Sequence, residues 1–373
     1  KQPSNLARPH RATSLSMAGA ACGGQRRVSL LGAVLACAQT LPALAAEGSY
    51  ESGRLDLPFV GHCTFGKFPP FTDWQRLNTT GADFAVLGVP NDMGTQWRSG
   101  ARMGPRSVRE ASTLYSFGHK QVYDADTGET YEYGEVIDVG DVDVVHSDIM
   151  TTHNRTQQAV ETILEAGLVP FIIGGDHSIT APNCAALAKV GKPIVLVQID
   201  AHLDFVDVRH GVRYGHGNCM RRCLEMPHIQ QIFQLGIRGV SSTGKSGFED
   251  ATRMGSTILS VRKIRELGVA TVANMIPADA LIYFSVDIDG LDPSIAGGTG
   301  TPSHGGFMYY EVKDLLRLII ARSQKLVGLD LVEVAPPYDN NQVTATLAAR
   351  LMLDAMGFAY AKRAGGAAQK VEL

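Results

Sequence analysis

Six short apolar runs, separated by longer amphipathic stretches, constrain the fold more strongly than any other feature of this sequence. Nearly continuous apolar runs of this length are typical of strands that are covered on both faces. Strands that alternate with helices predict an α/β fold in which helices flank both sides of a mostly parallel sheet. The runs lie at residues 84–89, 168–173, 194–199, 232–237, 281–286 and 326–331.

Helix signals lie between and after these runs. Gly104 and Pro105 predict a helix start, because proline is favoured at an early helical position. Asn154 is a candidate N-cap for a second helix. Apolar periodicity predicts two further helices at residues 309–321 and 344–362.

Residues 1–46 have the composition of a targeting segment, with five basic residues and no acidic one. Arg26 and Arg27 precede a mostly apolar stretch at 28–44, which polar residues interrupt, so a stable membrane span is not expected. The segment fits organelle import or twin-arginine export, and a cytoplasmic protein with a disordered extension is the alternative. No repeat or linker divides the rest of the chain, so residues 47–373 are predicted to form one domain.

The charge balance beyond residue 46 does not indicate a nucleic-acid surface. Without the five basic residues of the leader, the chain has 29 basic and 37 acidic residues, a net charge of −8. No basic run with interleaved aromatic residues occurs, so no nucleic-acid partner is expected. The cysteines lack zinc-site spacing and are too sparse for a disulfide framework. Cys219 and Cys223, four residues apart, could share a helix face.

Polar side chains with metal-binding chemistry directly follow four of the apolar runs. The carboxyl ends of parallel strands meet at one edge of a sheet, where function gathers in such folds. These side chains are therefore expected to converge. They are His177 after the run at 168–173, Asp200, His202 and Asp204 after 194–199, Asp287 and Asp289 after 281–286, and Glu333 after 326–331.

The alternation of Asp200, His202 and Asp204 predicts three side chains on one face of an extended strand. Two carboxylates and an imidazole crowded together resist burial unless a cation lies among them. Four converging carboxylates would balance two divalent ions. Carboxylate and imidazole ligands without thiolate suit Mn²⁺ better than a structural zinc site. The sequence thus predicts a binuclear metal site.

The same segments carry a family resemblance. GGDHS at 174–178, DAHLD at 200–204 and SVDIDGLDP at 285–293 closely resemble the ureohydrolases, the family of arginase and agmatinase. The resemblance extends over most of residues 82–358 and includes GVPND at 88–92. It implies a three-layer sandwich of the arginase/deacetylase type and a single ureohydrolase catalytic domain. The GTGTP segment, Gly298 to Pro302, resembles the agmatinase branch.

By this resemblance, two Mn²⁺ ions share the predicted ligands, although Ni²⁺ or Co²⁺ could occupy the same set. One ion would be held by His177, Asp200, Asp204 and Asp287. The other would be held by Asp200, His202, Asp287 and Asp289.

The resemblance also implies roles in catalysis. A guanidinium carbon is a poor electrophile, and metal ions assist its hydrolysis because they lower the pKa of water. Asp204 would take up the proton that the water releases and help pass it to the departing amine. Glu333 would pair with the substrate guanidinium, and His216 would occupy the proton-shuttle position.

The tail of the substrate is less constrained, and two interpretations stay open. Agmatine to putrescine and urea is the first, because the chain resembles the agmatinase branch, and Asp207 is the acid available for the cationic amine. Arg209 and Arg213 would instead suit the carboxylate of a guanidino acid such as 4-guanidinobutanoate. Both arginines could also face solvent or a neighbouring subunit.

Two further alternatives differ in class. One is a catalytically silent relative that serves as a binding subunit, and the other is a hydrolase of a different C–N bond. The complete set of ligand positions, with Glu333 and His216, argues against the silent relative. The resemblance also implies a homo-oligomer, a trimer or hexamer, with a small guanidino compound as the partner of the site.

Overall fold

Eight parallel strands form the central sheet of the computed structural model, which describes residues 57–115, 121–240 and 243–365. In chain order the strands are β1 (Phe84–Val89), β2 (Gln121–Asp124), β3 (Glu129–Glu132), β4 (Val136–Asp141), β5 (Val169–Gly174), β6 (Ile194–Ile199), β7 (Ile229–Leu235), β8 (Ser256–Leu259), β9 (Leu281–Asp287) and β10 (Lys325–Val332). The sheet order is β4-β1-β5-β10-β9-β6-β7-β8, and each neighbouring pair is parallel. Strands β2 and β3 form a separate antiparallel hairpin.

Helices cover both faces of this sheet. They are α1 (Gly104–Ser112), α2 (Ile149–Glu165), α3 (Thr180–Ala186), α4 (Cys219–Leu224), α5 (Lys245–Met254), α6 (Val261–Leu267), α7 (Val269–Met275), α8 (Tyr309–Arg322) and α9 (Val343–Arg363). One layer contains α1 and α6 to α9, whose buried residues pack with Phe84 and Phe171 of the sheet. The other contains α2 to α5, which pack against the opposite face. The predicted sheet with flanking helices is confirmed.

The alternation of side chains along β1 divides the core between these layers. Phe84 and Val86 point into one layer, whereas Ala85 and Leu87 point into the other. Both sets are fully buried, which explains why the strand is apolar at every position. Complete burial of a side chain such as Leu87 contributes roughly 1.5–3 kcal/mol to the free energy of folding.

The six predicted strands are all present, but strands β4 and β8 and the β2–β3 hairpin were not expected. Strand β4 escapes detection because Asp138 interrupts its apolar pattern. That carboxylate is buried and accepts hydrogen bonds from Nε and Nη2 of Arg109 at 2.8 and 3.0 Å. A buried, doubly bonded ion pair thus replaces an apolar contact at the sheet edge.

The four predicted helices are also present, although one begins elsewhere. Helix α2 starts at Ile149, and Asp148 caps it by accepting a hydrogen bond from Thr151 N–H at 3.0 Å. The expected cap, Asn154, is wrong because this residue lies one full turn inside the helix. In the described parts of the chain, no helix combines the length and hydropathy needed to cross a membrane. The predicted leader at 1–46 lies outside the described residues.

The four strands that precede the metal-binding motifs are neighbours at the centre of the sheet, in the order β5-β10-β9-β6. Because all four are parallel, their carboxyl ends meet at one edge. Gly175, just after β5, packs closely against the backbone of Val89 and Asn91. A Cβ atom at this position would be 2.0 Å from the carbonyl oxygen of Asn91, so only glycine fits.

Candidate metal centre and active site

Most side chains at this sheet edge come from short turns and loops, whereas Asp287 is the last residue of strand β9. His177 lies in a single 3₁₀ turn that Asp176 caps by accepting a hydrogen bond from Ser178 N–H at 2.9 Å. Strand β6 ends at Ile199, so residues 200–204 form a loop. The prediction of three side chains on one face of an extended strand is therefore wrong. Asp204 has a φ of 51°, in the left-handed region, so strand alternation does not direct its side chain.

Loop geometry nevertheless brings three carboxylates to one imidazole nitrogen. Nδ1 of His177 lies 3.1 Å from Oδ2 of Asp200, 3.0 Å from Oδ2 of Asp204 and 3.1 Å from Oδ2 of Asp287. All four residues are buried. None of the oxygens is aligned for a hydrogen bond, and this nitrogen has no hydrogen-bond partner.

The other nitrogen of His177 explains this arrangement. Nε2 lies 2.9 Å from Oγ of Ser285, whose hydroxyl donates to Oδ1 of Asp330 at 2.7 Å. Since the serine proton is used on Asp330, Nε2–H must donate to the serine oxygen. In the neutral imidazole, Nδ1 then presents a lone pair to the three carboxylates, and a cation between them would neutralise their repulsion. Although burial opposes it, the surrounding acidic groups raise the pKa of His177 well above its usual value, so this pocket favours positive charge.

A second group lies beside the first. Nδ1 of His202 is 3.1 Å from Oδ2 of Asp289 and 3.6 Å from Oδ1 of Asp200. Asp200 belongs to both groups, and its two oxygens face different imidazoles. Asp200 belongs to two sets of three residues whose ligand atoms lie close enough together to share an ion. These sets are His177–Asp200–Asp287 and Asp200–His202–Asp289.

The electrostatics of the cluster favour bound cations. Burial and the charges of Asp204 and Asp289 raise the pKa of Asp200 to about 7. Burial, with the charges of Asp289 and Asp200, also raises the pKa of Asp287 well above its ordinary value. The negative charge of Asp289 raises the pKa of His202 to about 11. The carboxylates thus repel one another and attract any positive charge, which is the environment that divalent ions neutralise.

His216 and Glu333 form a close side-chain pair next to this cluster. Nδ1 of His216 is 3.0 Å from Oε1 of Glu333, which also accepts a hydrogen bond from His177 N–H at 3.0 Å. The backbone N–H of Gln96 donates to Nε2 of His216 at 3.1 Å. Although burial opposes it, the hydrogen bond and charge of Glu333 raise the pKa of His216 to about 9. Glu333 has a φ of 64°, so a second site residue lies in the left-handed region.

A cavity of about 330 Å³ opens over the cluster. Trp97 lies at its wall with 68% of its surface exposed, and the guanidinium of Arg98 stacks 4.5 Å from the indole. Arg98 also stacks 4.3 Å from the ring of Tyr338 and donates to the carbonyl oxygen of Gly300 at 3.0 Å. These contacts fix the aromatic wall. The lining residues are Gln96, Trp97, His202, Asp204, His216, Gly217, Val240, Asp287 and Thr301.

The structure brings together eight of the predicted site residues. The other three, from the loop after residues 200–204, lie elsewhere. Asp207, Arg209 and Arg213 are absent from the cavity lining. Arg213 lies 3.1 Å from Oδ1 of Asp207, and Arg222 donates to the same oxygen at 2.7 Å. The Arg222 hydrogen bond lowers the pKa of Asp207. The roles of these three residues in tail binding stay predictions.

Three residues that shape this site were not identified from the sequence. Asp330 accepts hydrogen bonds from Tyr283, Thr180 and Asn183 at 2.7 to 3.0 Å, in addition to Ser285. The signal was present, since an acid inside an otherwise apolar, fully buried strand needs a dedicated set of donors. Trp97 and Gln96 carried no comparable signal, because their position follows from how the loop after β1 folds over His216.

Comparisons with known proteins agree with this geometry. The sequence pattern of the arginase family matches residues 82–357. Agmatinase, mitochondrial, of Gallus gallus is 33% identical over 88% of this chain and 96% of that protein. Guanidino acid hydrolase, mitochondrial, of Homo sapiens is 35% identical over 79% of this chain and 82% of that protein. The solved structure of proclavaminate amidino hydrolase from Streptomyces clavuligerus superposes with a TM-score of 0.72 at 31% identity, covering 82% of this chain and 99% of that one. The chain therefore belongs to the arginase family.

Proposed function

We propose that this chain is a metal-dependent ureohydrolase that cleaves a guanidino group to urea and an amine, with agmatine, cleaved to putrescine and urea, as the first candidate substrate. One observation carries the proposal: Nδ1 of the buried His177 faces carboxylate oxygens of three aspartates within 3.1 Å. The relatives named agmatinase and guanidino acid hydrolase support this reaction class. Residues 47–373 would form the single catalytic domain.

The buried donor set fits two divalent ions, because its four carboxylates carry the charge that two such ions would neutralise. The first ion would be held by His177, Asp200, Asp204 and Asp287, and the second by Asp200, His202, Asp287 and Asp289. Oxygen and imidazole donors favour Mn²⁺, while Ni²⁺ or Co²⁺ can bind the same atoms. When bound, such ions make water a nucleophile near neutral pH and stabilise negative charge that develops on the substrate.

The chain's own residues then orient the substrate and move protons. Hydrolysis joins a water oxygen to the guanidinium carbon, breaks one C–N bond and delivers a proton to the departing nitrogen. Asp204 lines the cavity and can hold the proton that the water releases. Glu333 supplies a buried carboxylate for the guanidinium. His216 lies between the cavity and Glu333, where it can exchange protons with solvent.

A guanidino acid is the second candidate substrate. Outside the metal cluster, no acidic side chain lines the cavity among the described residues, so a cationic amine tail has no dedicated partner there. Asp207 already contacts Arg213 and Arg222. The relative named guanidino acid hydrolase supports this alternative as strongly as the agmatinase supports the first.

The deciding experiment uses the full chain reconstituted with Mn²⁺. Urea release is measured side by side from agmatine, 4-guanidinobutanoate, 3-guanidinopropanoate, arginine and free guanidine. The proposal expects the highest kcat/KM for agmatine. A preference for a guanidino acid would select the second candidate. If metal binds but no substrate releases urea, both candidates are wrong, and the silent relative or the hydrolase of another C–N bond takes their place.

We further propose a mitochondrial location and a homo-oligomeric assembly. The leader at 1–46 is basic and free of acids, and both of these relatives carry the word mitochondrial in their names. Twin-arginine export is the alternative that the same segment allows. A trimer or hexamer is the assembly that the family resemblance implies. Cell fractionation and light scattering of the purified chain test these two proposals.

A further inference from the structure

A buried thiol faces the first metal position. Cys219 begins helix α4, and its side chain is almost fully buried. Its Sγ atom lies 3.7 Å from Oδ2 of Asp204 and 3.3 Å from the carbonyl oxygen of His216. Ligand atoms of His177, Asp204 and Cys219 all lie within 4.8 Å of one another. This is the distance range in which three atoms can share one ion.

The His177 imidazole points independently to a ligand in the same space. Its Nδ1 atom is buried and has no hydrogen-bond partner. The thiol and the imidazole therefore approach one point from different elements, α4 and the turn after β5. Oδ2 of Asp204, 3.0 Å from Nδ1 of His177, also lies 3.7 Å from the thiol.

Another cysteine on the same helix provides a contrast. Cys223 is one turn further along α4 and is equally buried. Its Sγ atom lies 3.7 Å from the carbonyl oxygen of Thr180, and none of the potential metal-binding groups in the described chain includes it. Burial alone thus does not direct a cysteine of this helix toward the ligands. The position of Cys219 does.

We propose that Cys219 is a further ligand of the first metal position, an inference that rests on the proposed two-metal function. Sulfur is a soft donor, and thiolate favours Co²⁺ and Zn²⁺ over Mn²⁺. As the bond from sulfur to the ion forms, the S–H proton leaves to solvent. The first position becomes a mixed site with nitrogen, oxygen and sulfur donors, while the second, at His202 and Asp289, keeps only nitrogen and oxygen. The two positions therefore select different metals.

Cobalt spectroscopy tests this assignment without relying on activity. The full chain is freed of metal, loaded with Co²⁺, and examined for bound cobalt per chain and for a sulfur-to-cobalt charge-transfer band in the near ultraviolet. We expect the band in the wild type, its loss in Cys219→Ser and Cys219→Ala, and its retention in Cys223→Ser. In competition experiments, the ratio of Co²⁺ affinity to Mn²⁺ affinity should fall about tenfold or more in Cys219→Ser. Even residues that contact a metal only through its ligands change its affinity by about 10–100-fold.

The outcomes separate this inference from the proposed function. Two bound Co²⁺ ions without the band in the wild type would overturn the thiolate ligand and leave the two-metal ureohydrolase intact. A band that persists when Cys219 is replaced would likewise overturn Cys219 as the ligand and leave the proposed function intact. If the wild type binds no Co²⁺ and no Mn²⁺, both the thiolate ligand and the proposed function are wrong. Absence of the band in the wild type refutes the inference without any variant. The assignment of a band to Cys219 rests on two replacements, Cys219→Ser and Cys219→Ala, so one variant that fails to fold does not obscure it.

Discussion

Nδ1 of His216 lies 3.0 Å from Oε1 of Glu333, and this contact links the proposed proton shuttle to the proposed guanidinium partner. The same oxygen accepts the backbone N–H of His177, so it also joins the end of β10 to the first metal position. A guanidinium that reaches Glu333 must share this carboxylate with His216. Under the proposed roles, substrate binding at Glu333 would therefore change the contact that holds His216.

Glu333→Gln removes the negative charge of this side chain but keeps its size, so it tests whether the charge is needed. The amide can still accept a hydrogen bond from His177 N–H, but it no longer carries the charge that the guanidinium needs. Because a hydrogen bond between charged groups contributes about 1.5–3 kcal/mol, kcat/KM for the best guanidino substrate should fall about a hundredfold. Steady-state kinetics measure this, and metal content by mass spectrometry is the control. An unchanged kcat/KM would remove Glu333 from the site.

Metal removal should lower the thermal stability of the chain. Without cations, the carboxylates of Asp200 and Asp287 are buried and repel their acidic neighbours, and burial together with this repulsion raises the pKa of both. Chelation should therefore lower the Tm by roughly 5–10 °C, and Mn²⁺ should restore it. Differential scanning calorimetry provides the measurement. His177→Ala is the matched variant, and its Tm should respond much less to Mn²⁺.

Asp330→Asn and Ser285→Ala should weaken metal binding although neither residue touches the metal position. Both changes disturb the hydrogen bond that fixes the proton of His177 on Nε2, so metal affinity should fall about 10–100-fold in each. Asp330→Asn should also lower the free energy of unfolding by about 2–4 kcal/mol, because an amide N–H₂ would face hydroxyl and amide donors. Isothermal titration with Mn²⁺ and urea unfolding measure the two effects. Wild-type affinity in both variants would argue that the chain from Asp330 to His177 has no orienting role.

Burial of His153 should make the protein sensitive to mild acid. The imidazole is buried and lies 3.2 Å from Oγ of Ser178, and burial lowers the pKa of His153 to about 4. Between about pH 6.5 and pH 4, the unfolded chain binds a proton that the folded chain does not. Stability is therefore lost as the pH falls through this window, by about 3 kcal/mol in total.

His153→Gln should reduce that loss, because glutamine does not titrate. Urea unfolding at pH 7 and pH 4.5 gives the difference for each protein, which should be about 2 kcal/mol smaller in the variant. His146→Gln, at an exposed position of the preceding loop, serves as the control. Equal pH dependence in His153→Gln and the wild type would contradict the prediction.

Substrate affinity should depend on Trp97 more than on Arg213. Trp97 lines the cavity and is held by Arg98, whereas Arg213 pairs with Asp207 at the surface. Exposed ion pairs contribute at most about 1 kcal/mol, so Arg213→Gln should change KM by less than about fivefold. Trp97→Ala should raise KM about tenfold, because it removes a fixed aromatic wall. A loss of guanidino-acid activity alone in Arg213→Gln would restore the predicted role of this arginine.

The sequence predicts the sheet and the convergence of the site well because both depend on strands that are buried on two faces. Strands β5, β6, β9 and β10 are apolar at nearly every position, so their ends could be found from composition alone. Strand β4 was missed because Asp138 finds its partner, Arg109, in helix α1, far away in the chain. A contact of this kind has no local signature.

Side-chain direction in the loops was harder to predict. The alternation in DAHLD suggested a strand face, yet the loop achieves the same convergence with a left-handed residue at Asp204. The cap of α2 was misplaced because Asn154 and Asp148 are both good capping residues, and only tertiary packing decides between them. The ion pairs of Asp207 and Arg213 also depend on α4, whose position relative to the loop cannot be deduced from spacing.

The positive φ angles of Asp204 and Glu333 have a consequence for how this protein can evolve. A non-glycine residue in this conformation costs about 1 kcal/mol or more relative to glycine, and both positions carry side chains that the proposed chemistry needs. Asp204→Gly and Glu333→Gly would relax the backbone while discarding the functional group. Selection for robustness alone would push both codons toward glycine. The acids at these two points therefore retain the groups that the proposed chemistry needs against the preference of the backbone.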